Sequence, residues 1–401
     1  MNTLWVQPTL SAIRAFTAHA SLPVFELDRT NVANRKGKIR PFDQARGFTS
    51  DPLCPSASTG PSSLMLTGLQ LAHAVIKADR VRRLPFEWLA GLAFLMEHLP
   101  TFDWREDNLR LFDGISQAYA DFTGSSLSGR VGQGLALLLM EQMGFRFVGQ
   151  YPRPPSGPRP DFIVESSGPS GHRALVESKG SFVRRDDRHN IKGVLNEGLV
   201  QVTGVAPHGA TKSFVVGSFL REAGDKSNEP SLVSFLDPES NGNVQSDRLP
   251  PDWVVRQNYA AWLDAMGLHE AASDVRRGRV GAKGEQARLK VIALKGVDYA
   301  ITPLVPWITV DPWLSPEVLM LRDPELRVPV AGLRTSVVEV LKRSLRDTSG
   351  VLDHPDLLAG NPQESVPFES KGGYGSPMAD GSLLALVPAR ELWRGGEEMM
   401  L

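Results

Sequence analysis

Between residues 129 and 236 the apolar periodicity alternates between helical and extended runs, and this succession constrains the fold more than anything else in the chain. Residues 129–143 (GRVGQGLALLLMEQM) predict a buried helix, with Gly144 placed to stop it. Residues 145–150 alternate like a strand. Two more strand-like runs follow, residues 158–164 (PRPDFIV) and 173–179 (RALVESK), joined by a Gly/Ser/Pro turn. Residues 189–203 have helical spacing, with Leu195, Leu199 and Val202 on one side, and residues 213–220 and 231–236 are apolar strands. The order is helix, three strands, helix, two strands. A helix between the third and fourth strands predicts an α/β core with a mixed sheet and helices on its faces.

The flanks are less distinct. Residues 1–120 carry mostly helical patterns at 69–81 and 86–98, broken at Pro85 and preceded by linker-like residues 50–63. After residue 240 a helix is expected over 252–266, with Trp253, Tyr259 and Trp262 as packing residues. The segment 275–295 holds Arg276, Arg277, Arg279, Lys283, Arg288, Lys290 and Lys295 against Glu285 alone, either a second track for nucleic acid or the charged surface of an amphipathic segment. Residues 345–380 are rich in Gly, Pro, Ser and Asp and are expected to be partly disordered. The expected organisation is a mainly helical region at 1–120, a core at 121–240 and a C-terminal α/β region at 241–401 with a flexible stretch at 345–380.

Composition narrows the class. A chain of 401 residues with 41% hydrophobic and 22% charged residues reads as globular, with a substantial core. The longest apolar stretch, 89–96, is too short to cross a bilayer, and no basic segment followed by an apolar run opens the chain. The one cysteine, Cys54, excludes an internal disulfide and a multi-cysteine zinc site, so a cytoplasmic protein without membrane contact is expected. A net charge of −1 argues against a non-specific coat on nucleic acid but leaves room for a local basic cleft.

Within the core, Asp161 opens one strand, and Glu177 and Lys179 lie two apart on the next, so their side chains leave the same face. If the strands are neighbours, the two carboxylates converge beside a cation. Mg²⁺ or Mn²⁺ suits such a donor set: Asp161, Glu177 and the carbonyl of Ser178, completed by water. Lys179 would orient a water or hold charge developing on a phosphate. Asp after Pro is also a common turn residue, and a Glu/Lys pair two apart can be a surface pair of little consequence. The chain repeats the letters in Phe368-Glu369-Ser370-Lys371-Gly372, where no apolar strand leads in, and that copy is expected to be inert. The eight histidines form no HExxH, 129–134 lack the spacing of a dinucleotide fingerprint, and 281–284 lack that of a phosphate-binding loop.

Pro160-Asp161 followed by Glu177-Ser178-Lys179, on this element order, resembles the PD-(D/E)xK nuclease superfamily, the restriction-endonuclease-like fold, over about residues 125–240. The resemblance implies a metal-dependent endonuclease hydrolysing phosphodiester bonds, most often in double-stranded DNA. It also implies Asp161 and Glu177 as metal ligands, Lys179 as the catalytic lysine, and a setting in bacterial defence against phage or mobile elements. The family's helix glutamate corresponds to Gln133, and its polar residue on the following helix to Gln201, with Lys192 earlier in that helix. Arg184, Arg185, Arg188, His189 and Lys192 cluster after the triplet, either to contact backbone phosphates or as a solvated loop balanced by Asp186 and Asp187. The flanks leave room for a homodimer or partner proteins. An alternative is a catalytically degenerate version of the fold serving as a nucleic-acid-binding or assembly module.

Overall fold

A computed structural model of the chain describes residues 14–27, 63–78, 98–119, 121–151, 159–166, 172–183, 189–202, 210–225, 229–236, 252–278, 288–304, 327–346, 368–370, 373–393 and 398–400. Contacts divide the described residues into two compact units whose boundary in the sequence lies between Pro251 and Asp252. Cys54 and residues 86–97 of the second expected N-terminal helix lie outside the described residues.

The first unit is a mixed α/β structure built on a seven-stranded sheet. Its strands are β1 (His19–Leu27), β2 (Ser63–Thr67), β5 (Phe145–Gln150), β6 (Phe162–Ser166), β7 (Arg173–Val183), β8 (Ala210–Arg221) and β9 (Leu232–Leu236), in the order β2-β1-β9-β8-β7-β6-β5. Two short strands, β3 (Phe102–Trp104) and β4 (Leu109–Leu111), form a separate hairpin. The helices are α1 (Gly68–Ala78), α2 (Ile115–Ala118), α3 (Asp121–Gln142) and α4 (Ile191–Val202). Over 121–236 the order is therefore helix, three strands, helix, two strands.

The N-terminal region corrects the expectation of a separate, mainly helical part. β1 pairs parallel with β9 and antiparallel with β2, so both strands extend the core sheet. Only α1 of the two anticipated N-terminal helices is described, from Gly68 to Ala78.

Pairing along the sheet follows chain distance. β5–β6 and β6–β7 are antiparallel and close through short connections, whereas β7 and β8 are parallel and are bridged by α4. Strands β6 and β9 are buried along their whole length, and the first half of β7 likewise, which explains their nearly continuous apolar runs. Phe214 on β8 packs against Phe145 and Phe235, at ring-centroid distances of 5.5 Å and 6.5 Å, and so fastens three strands through one face.

The helices α3 and α4 cover opposite faces of β7. A Cβ on Gly180 would lie 1.7 Å from the Ser128 carbonyl oxygen, and one on Gly132 would lie 2.7 Å from Gly180 Cα, so α3 rides directly on β7 at the even-numbered residues. A Cβ on Gly198 of α4 would lie 2.3 Å from Val215 Cγ1 and 3.4 Å from Glu177 Cγ, which puts α4 over the odd-numbered residues. That second face holds a core of Val183, Ile191, Leu195, Leu199, Val202, Val215, Phe219, Leu232 and Leu236. α3 starts earlier than its apolar pattern suggests and ends before Gly144, whose φ of 85° supplies the left-handed stop.

The second unit carries its own seven-stranded sheet, β13-β14-β15-β12-β11-β10-β16, with every pairing antiparallel. Its strands are β10 (Arg288–Leu294), β11 (Val297–Pro303), β12 (Arg327–Arg334), β13 (Phe368–Ser370), β14 (Gly373–Pro377), β15 (Ser382–Pro388) and β16 (Glu398–Met400). Its helices are α5 (Asp252–Ala265), α6 (His269–Arg277), α7 (Thr335–Arg346) and α8 (Ala389–Trp393). Tyr259 donates to the Asp380 carbonyl at 3.0 Å and Trp262 to that of Gly332 at 2.7 Å, so both are core residues, whereas Trp253 is 46% exposed. The expectation of disorder over 345–380 is corrected in part: β13 and β14 fall inside it, held by the wholly buried apolar β15. Residues 347–367 lie outside the described residues.

The tight seat of α3 on β7 makes a test of the packing. Gly180→Ala forces a methyl into the Ser128 carbonyl and is expected to cost about 2 kcal/mol or more. Gly129→Ala meets nothing within 4 Å and should stabilise α3 by roughly 0.5–1 kcal/mol. Urea unfolding of the two variants checks the opposite signs.

Candidate active site

The site begins where β6 stops pairing with β7. The last ladder bond there runs from the Asp161 N–H to the Val176 carbonyl at 2.9 Å, just before the register pair Phe162–Val176. From Glu177 to Val183, β7 continues beside β8. The Ser178 N–H, on the side β6 has left, donates instead to Asp161 Oδ2 at 2.9 Å, and the Ser178 hydroxyl donates to the same oxygen at 2.6 Å. Asp161 thus stands in for the missing strand neighbour, and its carboxylate is fixed by a backbone and a side-chain donor. The two acidic strands are sheet neighbours, as convergence of their carboxylates requires.

Gln133, carried by α3, donates from Nε2 to Asp161 Oδ1 at 3.2 Å. Its reach is set by the contact of neighbouring Gly132 with Gly180, which holds the helix against the strand immediately after Lys179. Across the sheet, α4 supplies Gln201, whose Oε1 accepts from Lys179 Nζ at 2.5 Å. Lys179 also pairs with Glu177 Oε1 at 2.9 Å, with the lysine side chain 25% exposed and the glutamate 4%. Asp161, Gln133, Glu177, Ser178, Lys179 and Gln201 therefore belong to one cluster.

Glu177 is the strained member. Its Oε2 is buried and, among the described residues, has no hydrogen-bond partner. Burial, and next the like charge of Asp161, push its pKa from 4.5 up to about 8, against the opposing pull of Lys179 and Arg159. A buried carboxylate with an open oxygen, facing a second carboxylate, is an environment that a divalent cation would relieve. The chemistry of the donors, hard oxygen throughout, suits Mg²⁺ or Mn²⁺. Among the described residues no group of three or more His, Cys, Asp or Glu side chains is placed to hold a metal, and the ligands they offer here are these two carboxylates with backbone oxygen.

Other expected contacts are placed differently or lie beyond view. His189 is 1% exposed and accepts from Arg221 Nε at 3.0 Å, and burial with the Arg221 charge lowers its pKa to about 4. A neutral, buried imidazole cannot serve as a phosphate contact, so His189 leaves the basic set. Arg184, Arg185 and Arg188 lie outside the described residues, while Lys192 sits half-exposed in the first turn of α4. Gln201 faces Lys179 rather than projecting from the helix toward solvent. In the second unit, Arg276 is engaged by Asp264 at 2.5 Å and Gln257 at 3.2 Å, and residues 279–287 lie outside the described residues. Glu369 of the repeated triplet is exposed on β13 and accepts from the Tyr374 hydroxyl at 2.7 Å, a surface contact.

Two features escaped the sequence reading. Arg159 adds a positive charge felt by Glu177, and the Ser178 side chain clamps Asp161. Arg159 was visible as the residue two before Asp161. A serine between Glu and Lys carries no such signal, because on a regular strand it points to the other face. No family model matches the chain, and neither the curated proteins nor the solved structures contain a match to it.

The raised Glu177 pKa has a signed consequence. Its protonated form is favoured by folding, so the contribution to stability is full below about pH 4.5 and is lost as pH rises through about 8. In metal-free protein, the melting temperature of Glu177→Gln relative to wild type should therefore climb by several degrees across that window. Thermal melts in a chelating buffer series measure it, and a pH-independent difference would exclude the buried, strained carboxylate.

Proposed function

We propose that the first unit is a divalent-metal-dependent nuclease of restriction-endonuclease-like architecture, hydrolysing phosphodiester bonds in double-stranded DNA. The observation that carries the proposal is the open, buried Oε2 of Glu177, set beside the clamped Asp161 with Lys179 in the same notch. The element order of 121–236 and the neighbouring acidic strands add support. DNA as the substrate rests on the resemblance of the Pro160-Asp161 and Glu177-Ser178-Lys179 pattern.

A divalent ion held by Asp161 and Glu177 would supply Lewis acidity toward the phosphate and make a water more acidic. The remaining work falls to the protein's own side chains. Ser178 and Gln133 fix the Asp161 carboxylate, so no reorganisation is needed when charge arrives. Lys179, the most accessible member of its ion pair, presents an ammonium to the scissile phosphate. Gln201 and Glu177 limit where that ammonium can go. Water adds to phosphorus and gives up a proton to solvent, the bridging P–O bond breaks, and the leaving oxygen takes up a proton from solvent. The Lys179 charge stabilises the extra negative charge on the phosphate between those events.

A second reading, a catalytically inactive module that binds nucleic acid or partners, is favoured by the lack of a three-residue ligand group among the described residues. Cleavage assays on plasmid and linear DNA with Mg²⁺ or Mn²⁺ separate the two. Lys179→Ala is expected to lower the rate by at least about a hundredfold, with metal binding retained. Asp161→Ala should lose both binding and cleavage. Unchanged cleavage by Lys179→Ala would remove the mechanism, and absence of metal binding by the wild type would favour the inactive module. Gln201→Ala should lower kcat about tenfold with KM unchanged; a rise in KM alone would make Gln201 a nucleic-acid contact.

A further inference from the structure

We propose that the acidic pair holds a single divalent ion and that Gln133 is a positioning residue for Asp161, an amide standing where a second ion would need a carboxylate. The inference rests on the nuclease reading and deepens it by fixing how many ions the site takes.

Gln133 Nε2 lies 3.2 Å from Asp161 Oδ1. An ionised carboxylate only accepts, so the amide must present its N–H₂ there. A nitrogen donor aimed at the ligand oxygen repels a cation from that side of Asp161. The opposite oxygen, Oδ2, already takes two donors from Ser178. Open anionic capacity in the notch is therefore the one acceptor site left on Asp161 Oδ1 and Glu177 Oε2, which is buried, without a partner among the described residues, and part of a side chain in a residue only 3% exposed. One remaining site on Asp161 and one open oxygen on Glu177 make room for one cation position.

Charge leads to the same count. Asp161 and Glu177 carry at most two negative charges, and Lys179 and Arg159 already offset part of them, so a second divalent ion would stand uncompensated. Two-ion phosphodiesterase sites hold their metals roughly 3.5–4 Å apart and need further anionic ligands to do so. Among the described residues no third acidic, histidine or cysteine side chain joins the group. Glu141, the nearest acidic residue along α3, is eight residues from Gln133, about 12 Å along the helix axis, which is too far to enter the notch.

Metal alone tests the proposal without reference to turnover. The full-length protein is titrated with MnCl₂ by calorimetry and followed by electron paramagnetic resonance. Wild type should bind one Mn²⁺ per chain, with the resolved six-line spectrum of an isolated ion. Gln133→Glu should bind a second, with the spectrum broadened by coupling between the two. Gln133→Ala should still bind one, roughly tenfold more weakly, because Asp161 has lost a holding partner. Two coupled ions in the wild type would overturn the single-ion count. A Gln133→Glu protein that stays at one ion would overturn Gln133 as the limit on that count. Undiminished affinity in Gln133→Ala would overturn its positioning role. The wild-type spectrum decides the count even if both variants fail to fold. No Mn²⁺ in the wild type, with the protein folded by circular dichroism, would instead remove the nuclease reading on which the inference rests.

Discussion

The geometry of the site depends on one exchange of hydrogen bonds, in which the backbone of β6 leaves β7 and the Asp161 carboxylate takes the Ser178 N–H that would otherwise be orphaned. A buried amide without a partner is costly, so the acid at this position is held by the sheet's own need for an acceptor. Because the two strands part here, the edge of β7 beyond Val176 is left without β6, and a notch opens between that edge and α4. Glu177 and Lys179 occupy it. The sheet thus creates an opening and anchors the first carboxylate beside it by the same local event.

What surrounds the notch converts position into chemistry. Glycines at 132 and 180 bring α3 close enough for Gln133 to touch Asp161, and Gly198 brings α4 against Val215 and the stem of Glu177. The resulting burial raises the free energy of an ionised Glu177 while leaving Lys179 partly open to solvent. Two carboxylates in that arrangement are in tension with each other, and the tension is specific: a cation between them releases it, whereas a neutral ligand does not. Gln133 and Ser178 donate to Asp161, Lys179 pairs with Glu177, and Gln201 accepts from Lys179, so the contacts of the site are arranged around negative charge.

Much of this is legible in the sequence. The alternation of helical and extended patterns from residue 129 to 236 corresponds closely to α3 through β9, because each run is long and apolar enough to declare its period. Asp161, Glu177 and Lys179 stood out through the apolar runs that carry them, Asp161 immediately before β6 and Glu177 and Lys179 two apart within β7. The N-terminal strands were not legible. β1 contains Pro23, which interrupts an extended pattern, and its parallel partner β9 lies more than two hundred residues downstream. His189 misled because a histidine beside arginines reads as part of a basic cluster. Only its contact with Arg221 and Phe219 shows it as a neutral core residue.

By itself, then, the sequence determined which elements form between 129 and 236 and which side chains could do acid, base or metal chemistry, since both follow from local period and residue type. It could not decide that β1 and β2 belong to the same sheet, that Ser178 clamps Asp161, or that Gln133 and Gln201 converge on the acid and the lysine. Those facts depend on which strand lies next to which and on how closely two helices approach. Both are consequences of packing, where a missing Cβ at 132, 180 and 198 matters more than any neighbouring residue in the chain.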